Sequence, residues 1–201
     1  MALEIAPAPT ALKPKITDLC RETYEAHKAE APRDWPGNFF ETVIQPMIDA
    51  AFTSPKGAAL QFSPTLFIAE EDGVFAGYYR LSHVPTDPAT EYFAVSLEDI
   101  YVMPEFRRKG VATAMIAHAK ALAETHDWDS LTATVADWNA ASRAIFEAEG
   151  FGVQSRKFAF GPDRAARDVP VGDQSASTLP NWLWIAGLLL ILGFVISFIS
   201  R

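Results

Sequence analysis

The chain of 201 residues carries 17 Lys+Arg against 25 Asp+Glu, a formal charge of −8, with 49% apolar and 21% charged residues. That acidic balance excludes a general nucleic-acid binder, which needs clustered Lys and Arg in excess to neutralise phosphates, and it suits a cationic small molecule instead. The lone Cys20 excludes a disulfide framework. The length allows one domain of roughly 150 residues with appendages.

Residues 1–14 are rich in Ala and Pro and read as a loosely held segment or an edge strand. They contain no apolar run of the kind a secretory signal needs. Thr17 is predicted to cap a helix over 18–31, with Leu19, Thr23, Ala26 and Glu30 along one stripe. Cys20 on that helix reads as a small buried apolar residue. A second helical stretch covers about 38–51 and is interrupted at Pro46. The period then changes. Strands over 65–70 and 74–81 flank Asp72-Gly73, a strong short-range hairpin signal, and 92–102 extends the sheet. A helix over 110–126 follows, with Val111, Met115, Ala119 and Leu122 on one stripe, and then a strand over 131–135 with Leu131, Ala133 and Val135 inward. A helix over 139–149 and a final strand over 151–160 complete the pattern. Helices first, then three strands, then αβαβ, predict a mixed α/β sheet with an antiparallel beginning.

Residues 161–181, with three prolines, two glycines and no aromatic residue, read as a flexible linker of about 25 Å root-mean-square reach. Beyond it the charge vanishes: no charged residue lies between Trp182 and Ser200. Setting Arg201 aside leaves 16 of the 17 basic residues against all 25 acidic ones, so residues 1–181 carry −9. Eighteen residues from Trp182 to Ile199 rise by about 27 Å as a helix, close to the hydrocarbon thickness of a bilayer. Twelve of them are Leu, Ile, Val or Phe, which sums to roughly −4 to −7 kcal/mol for insertion. The segment 182–200 is therefore predicted to be a transmembrane helix, with Trp182 and Trp184 at one interface and Arg201 reaching the other. Arg156, Lys157, Arg164 and Arg167 precede the span and predict a cytoplasmic soluble domain. Gly193 and Ser197 supply one small-xxx-small step through which two tails could pack.

The stretch from Glu98 to Ala112 concentrates the chemistry. A strand ends at Pro104, a basic loop of Arg107, Arg108 and Lys109 turns, and a helix starts at Gly110. Unpaired backbone N–H groups at a helix start, together with its dipole, bind anions. Gly110 permits close backbone approach and Ala112 keeps the next turn small. A positive loop inside a domain of net −9 is better explained by a phosphate than by solubility. Downstream, spacings of three and four place Asn139, Ser142 and Phe146 on one helix face.

Arg107-Arg108-Lys109-Gly110-Val111-Ala112 resembles the Q/R-x-x-G-x-G/A signature of the GNAT superfamily of acyl-CoA-dependent N-acyltransferases, and the preceding Val-x-Pro-Glu-Phe-Arg fits the same pattern. Asn139, Ser142, Phe146, Gly150 and Phe151 resemble its second motif. The resemblance covers about residues 15–160, taken as the catalytic domain. It implies a GNAT-like mixed, mostly antiparallel sheet flanked by helices, and acetyl-CoA as co-substrate with no metal. It further implies that Arg107 to Thr113 hold the pyrophosphate, that Ile100, Tyr101 and Val102 pair with the pantetheine arm, and that Asn139, Ser142 and Phe146 line it. A homodimer is also implied as possible.

Leu97-Glu98-Asp99-Ile100-Tyr101-Val102-Met103 and Ala136-Asp137-Trp138-Asn139 look most like the diamine (spermidine/spermine) acetyltransferase branch. There the Glu of the Leu-Glu-Asp run is thought to draw a proton from the amine. The need is physical: an amine of pKa about 10.4 is mostly ammonium at neutral pH, and only the free base attacks a thioester. Alternate strand residues face opposite ways, so Glu98 and Asp99 can share one pocket only if the strand bulges. Glu98 is the preferred catalytic carboxylate. Asp99, the second candidate, could instead partner a helix N-terminus or a buried Arg. Many relatives carry a Tyr acid where this chain has Phe146, so the proton donor to the thiolate stays open, with Tyr101 a weak substitute. An amine N-acetyltransferase is thus set against a CoA-binding sensor or scaffold with weakened chemistry. Tyr78, Tyr79, His83, Trp35, Phe39 and Phe40 read as core or rim. His27, His118 and His126 show no metal-binding spacing.

Overall fold

In the computed structural model, the residues described are 2–32, 34–35, 37–53, 64–84 and 92–155. The Asp72-Gly73 turn sets the register of the sheet. Both residues have positive φ, +51° and +79°, the pair of values that a two-residue type I′ hairpin demands. The turn joins β2 (Thr65–Glu71) to β3 (Val74–Val84), so that Glu71 pairs with Val74. β3 pairs antiparallel with β4 (Ala94–Val102), and β4 pairs parallel with β5 (Ser130–Ala133). The Ala/Pro-rich start forms β1 (Leu3–Pro7), an edge strand on β2, and the order is β1-β2-β3-β4-β5. Alternation along the strands then divides the core in two. Tyr79, Leu81, Val95 and Leu97 pack on one face with Val111, Met115 and Ile116 of α3 (Val111–Thr125) and Phe146 of α4 (Ala140–Ala148). Leu66, Ile68 and Tyr78 pack on the other with Ile16, Cys20 and Tyr24 of α1 (Lys13–Glu30) and Ile48 of α2 (Gln45–Thr53). Helices therefore cover both faces of a mixed sheet, the layering by which each element buries its apolar side.

β3 and β4 approach closely at Gly77, where a Cβ would lie 2.3 Å from the Tyr101 carbonyl oxygen. Only glycine fits.

Four expectations are corrected. α1 begins at Lys13, not after Thr17, because Pro14 in the first turn needs no N–H partner and is already set for helix. Its buried stripe is Ile16, Cys20 and Tyr24, flanked by half-buried Leu19, Thr23 and His27, while Ala26 and Glu30 are exposed. The second helical stretch does not break at Pro46. It widens into a π turn over Phe40–Ile44 and continues as α2, which relieves the clash and the missing donor that a proline imposes within a helix. β5 ends at Ala133, two residues short of the predicted limit, although Val135 still packs on the core. Of the predicted strand over 151–160, residues 151–155 form no strand and the rest lie outside the described residues. So do the linker and the segment 182–200. Among the described residues no helix is long and apolar enough to cross a membrane.

Candidate active site

Pairing between β4 and β5 stops at Leu97↔Ala133, but β4 runs on to Val102. Past that point the two parallel strands part and a cleft opens between them, walled by α1 on one side and the start of α4 on the other. Backbone groups of residues 98–102 on this edge have no strand partner in β5, and polar backbone in such a position requires water or a ligand.

The bulge that the sequence made a condition is present. Arg80 pairs with Asp99 and the adjacent Leu81 pairs with Leu97, so Glu98 is an extra residue without a partner in β3. Leu97, Ile100 and Val102 keep to the α3 face and Tyr101 to the α1 face. Glu98 and Asp99 both line the cleft, together with Thr23 and His27 of α1 and Tyr78 of β3. Glu98 is exposed.

Asp99 has a second partner below it. Its Oδ2 accepts from Arg80 Nε at 2.8 Å, and Arg80 is only 4% exposed. Burial opposes charge on that guanidinium, but the Asp99 and Glu98 carboxylates outweigh it and hold its pKa above the ordinary value. Ser82 Oγ accepts a further Arg80 bond at 3.3 Å. Beside this pair, the Tyr78 hydroxyl and the Cys20 thiol are hydrogen-bonded at 3.0 Å. Burial, then the Asp99 charge, pushes the thiol up to about 12, so Cys20 stays protonated and is no nucleophile at neutral pH. Burial likewise raises Tyr78 well above the usual phenol range.

The predicted phosphate loop has the shape an anion needs. After a 3₁₀ turn at Pro104–Phe106, Arg108 takes φ +64° and Gly110 φ +83° at the N-cap of α3. No side chain caps α3 and no acid lies in its first turn, so the N–H groups of Val111, Ala112 and Thr113 are left for a ligand. Nothing stands within 4 Å of where a Gly110 Cβ would be, so the approach is open. Among the described residues none of Arg107, Arg108 and Lys109 pairs with a carboxylate. Arg107 Nε donates to the Val102 carbonyl at 3.1 Å and Lys109 lies over the Phe106 ring at 5.1 Å. Tyr101 stacks on Tyr78, turned to the α1 face.

Asn139 caps α4, its Oδ1 accepting from the Ser142 N–H at 3.1 Å. Asn139, Ser142 and Phe146 share the helix face that meets the cleft, as their spacing required. Phe146 is 6% exposed and packs edge-on against Phe151. Tyr79 and His83 do not reach the cleft: Tyr79 is hydrogen-bonded to His118 on the α3 face, and His83 packs on Phe93. Phe40 is core, and Trp35 abuts both Tyr24 and His27. Sequence reasoning missed Thr23 and His27 as site residues. Their i, i+4 spacing beside the Ile16, Cys20 and Tyr24 stripe was the available signal. No group of three or more metal-ligating side chains comes together among the described residues.

A mixed sheet parted beside an uncapped helix start, with a carboxylate over the opening, defines the architecture of an acyl-CoA-dependent acyltransferase. The chain belongs to the acetyltransferase (GNAT) family, whose model matches residues 20–151. It is an acetyltransferase using acetyl-CoA, and the uncapped α3 start with its open glycine fits that co-substrate. No match was found among curated proteins. Solved structures share the fold at low identity. A ribosomal-protein-alanine N-acetyltransferase from Brucella melitensis biovar Abortus 2308 is 19% identical with a TM-score of 0.54, covering 80% of this chain and 99% of that one. A mutant of the BH1408 protein from Bacillus halodurans is 18% identical with a TM-score of 0.64, covering 79% and 99%. AAC(6')-Iy in complex with a bisubstrate analogue, CoA-S-monomethyl-acetylneamine, is 21% identical with a TM-score of 0.57, covering 81% and 99%.

Proposed function

We propose that the chain N-acetylates a primary amine of a small cationic acceptor, by direct attack on acetyl-CoA in a ternary complex. The observation that carries this reading is Glu98, the unpaired bulge residue that lines the cleft where β4 and β5 part. The co-substrate supplies the activated acetyl thioester. The α3 start and Arg107, Arg108 and Lys109 hold its pyrophosphate, and the free edge of Ile100 to Val102 meets its arm. Asn139, Ser142 and Phe146 wall the arm. Glu98 attracts the ammonium and draws off its proton, while Asp99 is held by Arg80. The Leu97-Glu98-Asp99 run favours a polyamine-like acceptor, and the aminoglycoside-directed and alanine-directed neighbours extend the candidates to amino-sugars and peptide N-termini.

Steady-state acetylation by the full chain in non-ionic detergent, across polyamines, amino-sugars and N-terminal peptides, tests the reading. Turnover of at least one amine class is expected. The buried, hydroxyl-free Phe146 favours a second reading, a CoA-binding scaffold with weakened chemistry. Tight CoA binding without turnover of any amine would establish that one instead. Gly110→Asp, which sets a carboxylate on a left-handed residue facing the phosphates, is expected to weaken acetyl-CoA binding by about tenfold or more. Unchanged calorimetric affinity would move the pyrophosphate elsewhere.

The segment 182–200 anchors the enzyme to a membrane as a single C-terminal helix, with the catalytic domain on the cytoplasmic side. Full-length chain is expected to float with liposomes, and a chain ending at residue 181 to stay in the soluble fraction. Equal flotation of both would remove the anchor.

A further inference from the structure

One titratable side chain in the cleft has no task in the chemistry above. His27 stands near the end of α1 and lines the cleft with Glu98 and Asp99. Its ring packs against Trp138 at 5.0 Å and Trp35 at 5.6 Å. These indoles belong to different segments, one before α4 and one after α1, and they fix the imidazole from two directions in sequence. Among the described residues the imidazole has no hydrogen-bond partner, although the residue is half-buried. A polar group in that position is normally satisfied by water or a ligand. The titratable and charged groups around it are Glu98 and Asp99 of β4, Tyr78 of β3, and Arg80 behind Asp99. Tyr24 lies one turn earlier on α1, and Asp137, next to Trp138, is bound to Arg143. Burial pulls His27 below the ordinary imidazole value, against Asp99, which raises it. The ring is therefore neutral at pH 7 and retains an acceptor nitrogen.

We propose that His27 is the catalytic group that finally receives the acceptor's proton, Glu98 serving to draw the ammonium in and pass the proton on. This rests on the enzyme reading above. Proton transfer from an amine of pKa about 10.4 to an ordinary carboxylate is uphill by about six pKa units and to an ordinary imidazole by about four; burial of His27 widens the second gap, against Asp99, which narrows it. An imidazole is the better sink. In the step, an N–H bond of the ammonium breaks and its proton comes to rest on an imidazole nitrogen. The freed lone pair forms the N–C bond to the acetyl carbonyl carbon; as the adduct collapses the C–S bond breaks, the second N–H proton is lost to water, and the neutral amide and the CoA thiolate are released. The imidazolium then returns its proton to solvent.

The test uses full-length chain in detergent, with spermidine and sisomicin as probes. For whichever probe is acetylated, wild-type kcat should level off above the imidazole pKa. His27→Gln should lose at least about tenfold at pH 7 and keep rising with pH toward the amine's own pKa. Its KM for acetyl-CoA should be unchanged, which a misfolded variant would not show. Independently, the His27 ring resonance of the wild-type chain, assigned by its absence in His27→Gln, should move when the acetylated amine is added. A variant with wild-type rate and pH profile, or a ring resonance unmoved by an amine that is turned over, overturns the role of His27 alone. A wild-type chain that acetylates no amine overturns the enzyme reading beneath it.

Discussion

Glu98→Gln is expected to lower kcat/KM for the acceptor amine by about 10²- to 10⁴-fold near pH 7, the range ordinarily supplied by a positioned acid–base group. Glutamine keeps the size of the side chain, and Glu98 is exposed and has no partner in β3, so the bulge and the sheet should survive. The pH dependence is what separates loss of chemistry from loss of structure. Each unit of rising pH supplies about ten times more free amine until the acceptor's pKa of about 10.4 is reached. The deficit should therefore shrink steadily from pH 7 towards pH 10. A deficit that stays constant with pH, or none at all, would take proton removal away from Glu98.

Asp99→Ala should act on the fold. It strips the carboxylate from a guanidinium that is 4% exposed and that Asp99 and Glu98 together hold charged. Removing one partner of a buried pair typically costs about 3–5 kcal/mol, because a charge is left uncompensated in the interior. The Asp99 side chain is itself 27% exposed. Water can follow the truncation, which places the loss near the lower end, about 3 kcal/mol. Urea unfolding measures it. Adding Arg80→Met should recover most of the loss, since an apolar side chain of similar length removes the stranded charge. A loss under about 1 kcal/mol for Asp99→Ala, or no recovery in the double variant, would show that the pair does not hold this face of the sheet.

These two adjacent carboxylates show what could be read from the sequence and what could not. The hairpin was legible because Asp72-Gly73 meets a local backbone requirement. The uncapped start of α3 was legible because its glycine, its basic residues and the helix start lie within six positions. Asn139, Ser142 and Phe146 followed from helical spacing alone. Which partner Asp99 takes did not follow, since a helix N-terminus and a buried Arg were both open: it depends on the register shift between β3 and β4 and on the burial of Arg80, neither of which can be read from β4 alone. The start of α1 was misplaced because Thr17 is a good capping residue in isolation, whereas Pro14 and the packing of Ile16 favour an earlier turn. The buried stripe was assigned separately to Leu19, Thr23, Ala26 and Glu30 instead of Ile16, Cys20 and Tyr24, and His27 was missed because its place in the site comes from α1 meeting the cleft beside Glu98 and Asp99.

The bulge also bears on how such a site can arise. Without Glu98, Leu97 and Asp99 would be consecutive, and the inward and outward residues of β4 would alternate without interruption from Val95 to Val102. Glu98 is thus the residue of the strand whose removal would restore the alternation. Insertion of one codon suffices to place a carboxylate in the cleft of an already folded sheet, and later exchanges at that position would leave the hydrophobic inheritance of both faces untouched. Acceptor chemistry can then diversify at one position while the fold stays under separate selection.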